Sequence, residues 1–251
     1  MIGGEAGNLD FELDFELDID DDDKDFFSFA SSDEKPESET RYIKPLAVKN
    51  TTALAYKNAS KLAKAAKLGE NERFDALVSG DFVFGDFLFA YLYEHRLKAN
   101  TVTISTLGLN EHNIISLAKL MEHGYINKLN LIVSRYFYAH EKFKLVPKIY
   151  QHLDIEERFQ LCVVGSHTKI TTFDTVGGGY YVVHGSANLR SSDCVEQFTF
   201  ENNKQIYDFY NSYHESIVKR FYTIDHDKKL LQRRGAQLWA EIHKDIKAER
   251  R

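Results

Sequence analysis

Cysteine is almost missing from this chain of 251 residues, which holds only Cys162 and Cys194. Two thiols are too few to staple a small secreted fold, and both are expected to be reduced and buried. No run of about 18 apolar residues occurs, which argues against a membrane-spanning helix. The first residues contain neither a basic segment nor an apolar one of signal-peptide type, so no secretory signal is expected, and the expected compartment is cytoplasmic. The spacing of the histidines demands no metal, and no cofactor is expected. What remains, 43% hydrophobic and 28% charged residues, suits one main soluble domain with extensions and a core of its own.

Charge is unevenly placed. Residues 1–40 hold 15 acidic residues against 2 lysines, a net of -13, which leaves 30 basic and 23 acidic residues elsewhere, a net of +7. A basic body with an acidic tail suits a polyanionic ligand, although +7 over the remaining chain also fits a solvated surface. The tail, "LDFELDFELDIDDDDKDFFSFASSDEKPESET" at 9–40, repeats acids and is poor in core-forming aliphatics, so disorder is the default expectation. As a solubilising tail it needs no partner. Its Phe11, Phe15, Phe26, Phe27 and Phe29 among carboxylates also suit docking on a protein partner, or covering the chain's own basic groove as a nucleic acid would.

The body alternates in pattern. Residues 41–73 are expected to form a helical N-terminal extension, with "TTALAYKNASKLAKAAKL" (51–68) as helix and Gly69 as its stop. A short strand at 74–79, a buried helix at 83–97 and a strand at 101–108 follow. Residues 110–124 read as a helix with Asn110 as N-cap and Gly124 beyond its end. The pattern continues with a strand at 128–134, a helix at 141–153 and a strand at 159–165. Helices are expected at 203–224 and 228–251. The fold class is therefore α/β, a mixed, mostly parallel sheet flanked by helices. The main domain spans 74–222, followed by a basic C-terminal helix at 223–251.

The chemistry concentrates in "VVGSHTKITTFDTVGGGYYVVHGSANLRSSDCVEQF" at 163–198, which reads as strand, glycine turn and returning strand. In an extended strand His167 and Lys169 share a face, about 7 Å apart. An imidazole there can attack or protonate at a phosphorus centre while the ammonium holds a non-bridging oxygen. The returning strand brings Ser186 and Asn188 beside His167, with Gly185 allowing close backbone approach. "SANLRSS" is expected to form a helical turn or tight loop with N–H groups suited to an anion. Asp174 has the opposite parity to His167, which favours a supporting role over direct contact.

His-x-Lys-x4-Asp followed by Gly-Ser-x-Asn, here His167, Lys169, Asp174, Gly185, Ser186 and Asn188, resembles the signature of the phospholipase D superfamily. The resemblance implies one repeat of that fold over about 74–222 and a two-step phosphodiesterase reaction without metal. One histidine forms a phosphohistidine and a second protonates the leaving oxygen. It implies a catalytic set of His167, Lys169, Asp174 and Glu196. Lys169, Ser186 and Asn188 bind phosphate, and Glu196 is the nearest acidic residue to orient the histidine. Two features depart from the pattern. The gap between the Asp and the Gly is ten residues (175–184) where the family has six, an even excess that keeps strand parity and suggests a Gly-Tyr-rich flap over the site. No second copy of the motif occurs; His140 and Lys142 in "YAHEKFK" have the spacing but no Asp, in a segment that looks helical. Single-motif bacterial nucleases of the superfamily pair two chains, so a homodimer sharing His167 from each copy is expected, acting on DNA or RNA. A phospholipase or phosphatidyltransferase, and a non-catalytic nucleic-acid-binding protein on the same fold, are the alternatives.

Other residues have plainer readings beside functional ones. His184 is expected to pack rather than react. His112, His123, His152, His214, His226 and His243 are expected mostly on helix surfaces. Arg135 and Arg190 either widen a phosphate surface or are ordinary surface arginines. Tyr180 and Tyr181 are candidates to stack on a base or a lipid head group, with alternation sending one of them to the core. The basic C-terminus is equally a nucleic-acid contact or a solvated face.

Overall fold

The computed structural model describes residues 50–56, 59–79, 83–189 and 195–224. In chain order these form β1 (Asn50–Tyr56), α1 (Ala59–Ala65), β2 (Glu72–Ser79), α2 (Phe84–Glu94), β3 (Ala99–Thr106), α3 (Glu111–Glu122) and β4 (Ile126–Ser134). Then come α4 (Arg135–Glu141), α5 (Leu145–Leu153), β5 (Phe159–Val164), β6 (Ile170–Thr175), β7 (Tyr180–Gly185), β8 (Val195–Asn202) and α6 (Lys204–Phe221). The acidic tail, Cys194, Arg190 and the basic segment 225–251 lie outside the described residues. No described helix is long and apolar enough to cross a membrane.

All eight strands among the described residues join one sheet in the order β1-β2-β8-β7-β6-β3-β4-β5. The mixed α/β architecture is as expected, but its balance needs correcting. Six strands run one way and only β6 and β8 oppose them, yet those two sit mid-sheet, so four neighbouring pairs are antiparallel and three parallel. The physical reason is local: a tight turn joins β6 to β7, and β8 returns beside β7, whereas β3, β4 and β5 are joined by helical crossovers.

The two faces of the sheet differ. On one, α2 lays Phe87 and Tyr91 against Phe74, Phe173, Tyr181, Phe198 and Phe200. Tyr91–Phe200 and Phe173–Tyr181 have ring centroids 4.8 Å apart, and Phe87–Phe198 5.3 Å. Each such ring contributes roughly 1.5–3 kcal/mol by leaving water. On the other face α6 meets a polar row. Thr172 Oγ1 lies 3.1 Å from His214 Nδ1, Tyr207 Oη donates to Asp174 at 3.5 Å, and His184 Nε2 lies 3.3 Å from buried Glu201. His214 is fully buried, correcting its expected surface position, and burial drops its pKa to about 4. Cys162 is a free, buried thiol pushed up to about 12 by burial.

Local expectations failed where pairing overrides propensity. The expected helix at 51–68 is instead strand β1, running parallel to β2 from Asn50–Glu72 to Tyr56–Val78, and only then the short α1. Pairing with β2 outweighs the Ala and Leu helix propensity. The helix expected at 141–153 is two helices, α4 and α5, separated at Lys142–Lys144. β8 was not anticipated. Asn110 does cap α3, its side chain accepting from Asn113 N at 3.0 Å, and Gly124 follows at φ 70°.

Candidate active site

The carboxyl ends of β2, β3, β4, β5 and β7 and the amino ends of β6 and β8 all lie at one edge of the sheet. Open α/β sheets bind ligands at such an edge, where crossovers diverge. The chain leaves β5 there and crosses the ends of β4 and β3 to reach β6, carrying His167 and Lys169. Residues 166–169 are not strand, contrary to expectation, because their polar groups bond elsewhere. Ser166 Oγ lies 2.8 Å from Thr168 Oγ1, which lies 2.5 Å from Ser105 Oγ on β3, and Thr168 N donates to Ser166 Oγ at 3.2 Å. This chain of hydroxyls fixes the residues on both sides of His167 while its side chain stays exposed.

Lys169 stands directly before β6. Its Nζ donates to the His167 carbonyl at 3.3 Å, and its own carbonyl accepts from Gly185 N at 3.3 Å. That backbone bond places the end of β7 beside the start of β6. The glycine is required there: a Cβ at 185 would fall 2.1 Å from Gln197 O and 2.7 Å from Phe198 Cα. Ser186 then locks onto β8, exchanging backbone and side-chain bonds with Gln197, and its hydroxyl donates to Glu196. Ser186 and Glu196 are therefore joined directly. A shallow recess here is lined by Phe84, Ser105, Lys169, Gly185, Ala187 and Leu189 among others.

Asn188 is half-buried, and its Oδ1 is buried without a hydrogen-bond partner among the described residues. Its neighbour Leu189 is held on both sides. Leu189 N donates to Thr106 Oγ1 at 3.3 Å, and its carbonyl accepts from Asn110 N at 2.9 Å and Asn113 Nδ2 at 2.8 Å. Asn113, wholly buried, also accepts from Gly85 N at 2.8 Å, joining the starts of α2 and α3 to the Asn188 loop. Sequence reasoning missed Asn113 and Ser105. The only available sign of Asn113 was its place three residues after an N-cap Asn, and that does not reveal the long-range contacts.

Asp174 stands apart from His167, in the supporting position that its strand parity suggests. It lies four residues into β6, about 13 Å from the strand's start at the site edge. There it accepts from Asn100 Nδ2 at 2.7 Å, Thr101 N at 3.2 Å and Tyr207 Oη, tying β6 to β3 and α6. Burial and the nearby Asp174 carboxylate raise the Tyr207 pKa. The flap expected over the site is corrected. The glycine turn, with Gly178 at φ 90°, closes at Thr175–Gly179 on the far edge of the sheet, so the longer hairpin extends away from His167. Tyr181 is the core residue of its pair, and Tyr180 packs on Tyr207 at 5.3 Å, so neither reaches the site. His140 and Lys142 lie at the end of α4, not in a second strand motif. Among the described residues no group of His, Cys, Asp and Glu is spaced to hold a metal ion.

No family model matches the chain, and no curated protein matches it in sequence. Among solved structures it is similar to Nuc, a phospholipase D family member from Salmonella typhimurium, at 10% identity and a TM-score of 0.44, over 60% of this chain and 97% of that one. It is similar to NucT from Helicobacter pylori at 14% identity and a TM-score of 0.43, over 60% of this chain and 99% of that one. A variant of yeast tyrosyl-DNA phosphodiesterase shares 13% identity at a TM-score of 0.34, over 51% of this chain and 31% of that one.

Proposed function

We propose that the chain is a phosphodiesterase of the phospholipase D type that cleaves nucleic acid as a homodimer. The observation that carries this reading is the backbone bond from Gly185 N to Lys169 O, which sets the segment bearing His167 and Lys169 beside the one bearing Ser186 and Asn188, at the edge where the crossovers open. Lys169 and the Asn188 side-chain amide are the groups to hold non-bridging phosphate oxygens, an ammonium and a neutral donor respectively. Ser186, fixed by Glu196, holds the loop that presents Asn188.

In the first step a ring nitrogen of one His167 attacks phosphorus. A P–N bond forms as the P–O bond to the leaving group breaks, and the His167 of a second copy gives the leaving oxygen its proton. That second ring, now neutral, takes a proton from water as the water oxygen attacks phosphorus. The P–N bond breaks, releasing the phosphate monoester and restoring both rings. A chain carrying one such motif supplies one of the two histidines, which is why the dimer belongs to the reading. A net charge of +7 on residues 41–251 favours a polyanionic substrate.

The test is hydrolysis of labelled DNA and RNA by the purified full chain in EDTA, beside His167→Ala. Cleavage that persists in EDTA and disappears in the variant is expected. Cleavage that requires a metal, or that survives the substitution, would overturn the mechanism. Turnover of phosphatidylcholine vesicles with none of nucleic acid would replace the substrate class. Tight nucleic-acid binding with no turnover of any diester would leave only a binding protein.

A further inference from the structure

Helix α4 leaves the same sheet edge as the candidate site. Its N-cap Ser134 pairs in register with Val164 of β5, three residues before His167. Ser134 Oγ accepts from Phe137 N at 3.0 Å and donates to Leu107 O at 2.7 Å, so the helix start is fixed to the ends of β3 and β4. Its inner side chains, Phe137 and Tyr138, are buried. The outward ones are also aromatic: Tyr136 is 50% exposed, and Phe143, just beyond the helix, is 76% exposed. The His140 ring lies over Tyr136 with centroids 3.9 Å apart, tethered by His140 Nδ1 against Tyr136 O at 2.9 Å. The two rings form one ledge.

Cations are interleaved with these rings. Residues 135–148 contain Arg135, Lys142, Lys144 and Lys148 against the single acid Glu141. Lys142 Nζ lies 4.8 Å from the Phe143 ring centroid, and Lys148 is held by Glu111 at 2.6 Å. Three exposed rings thus fall within eight residues of a basic stretch, and exposed rings gain nothing from burial. Flat faces alternating with positive charge complement a polymer that alternates flat bases with phosphates. A duplex hides its base faces within the stack, so only unpaired bases can use such a ledge.

We propose that Tyr136, His140 and Phe143 form a stacking ledge for single-stranded nucleic acid, with Arg135, Lys142 and Lys144 following its backbone. The ledge rests on the nucleic-acid reading of the neighbouring site and deepens it by assigning an unpaired strand as the substrate form. It also gives a role to the His140-x-Lys142 spacing, which supplies no second motif.

The test reads binding alone, in the full chain carrying His167→Ala so that no cleavage intervenes. Fluorescence anisotropy with a labelled 12-nucleotide oligothymidylate is compared with a blunt duplex at the same salt, for this chain and for it carrying Tyr136→Ala and Phe143→Ala. Single-strand affinity is expected to fall about tenfold or more, and duplex affinity less than about twofold, with an unchanged melting temperature. Unchanged single-strand affinity, or an equal loss for both probes, would overturn the ledge. Vesicle binding lost with the rings while oligonucleotide binding persists would assign the surface to lipid and overturn it too. Failure of the catalytic reading is separate, because the hydrolysis assay detects it and the binding assay does not.

Discussion

The two ends of the β6–β7 hairpin are built from the same two strands and behave in opposite ways. At the carboxyl end of β7 the chain leaves the ladder, His167 is exposed, and Asn188 Oδ1 is buried without a partner among the described residues. At the turn end Asp174 has three hydrogen-bond donors, and Thr175 closes on Gly179 through backbone and side chain. One end leaves the His167 side chain open to solvent, and the other has used its polar groups to hold the sheet together. Residues of one sequence motif are thus divided between an open edge and a tied strand by where the chain places them.

Substitutions at the two ends should separate activity from stability. The largest expected effect is that of His167→Ala, which should lower diester turnover by about a thousandfold or more while moving the melting temperature little, since the side chain is exposed. Gly185→Val should act on both. With backbone of β8 within 2.1–2.7 Å of the new Cβ, β7 and β8 must part, costing about 3 kcal/mol or more and disturbing Ser186 and Asn188. Asp174→Ala should reverse the His167 result. Leaving Asn100, Thr101 N and Tyr207 without their acceptor should cost about 2–3 kcal/mol by denaturant unfolding. Turnover of a small diester at a temperature where the variant is folded should change by less than about threefold. A large loss of turnover at full stability would erase the contrast between the ends.

A smaller effect concerns the face beneath the hairpin. His214 is held near pKa 4 by burial, below the ordinary 6.5, so between those values the unfolded chain binds a proton that the folded one refuses. Stability from this group is therefore complete above about pH 6.5 and falls as pH drops toward 4, by up to about 3 kcal/mol. Unfolding of wild type and His214→Gln compared between pH 7 and 4.5 checks it: the variant should lose that share of the pH slope.

The candidate residues were far more legible in the sequence than their surroundings. His167, Lys169, Ser186 and Asn188 are legible because their chemistry and spacing lie within one short stretch. Parity alone separated Asp174 from His167. The Ser105–Thr168 contact and the hub at Asn113 were not legible, since both join residues far apart in sequence through the order of strands. β1 and β8 escaped for a related reason: each is a strand because β2 lies beside it. Nothing in the sequence singled out Tyr136 and Phe143, since only the fold shows that Phe137 and Tyr138 are buried while these two are exposed.

The central claim is that the sheet edge bearing His167 is half of a site completed by a second copy. Mixing wild-type chains with increasing His167→Ala chains, under conditions that let dimers exchange, tests it directly. If each site needs both histidines, an equal mixture should retain roughly a quarter of the activity of the same total amount of wild type, because only that fraction of randomly formed dimers carries two. Retention of half, in proportion to the wild-type chains present, would mean that each chain works alone and would contradict the claim.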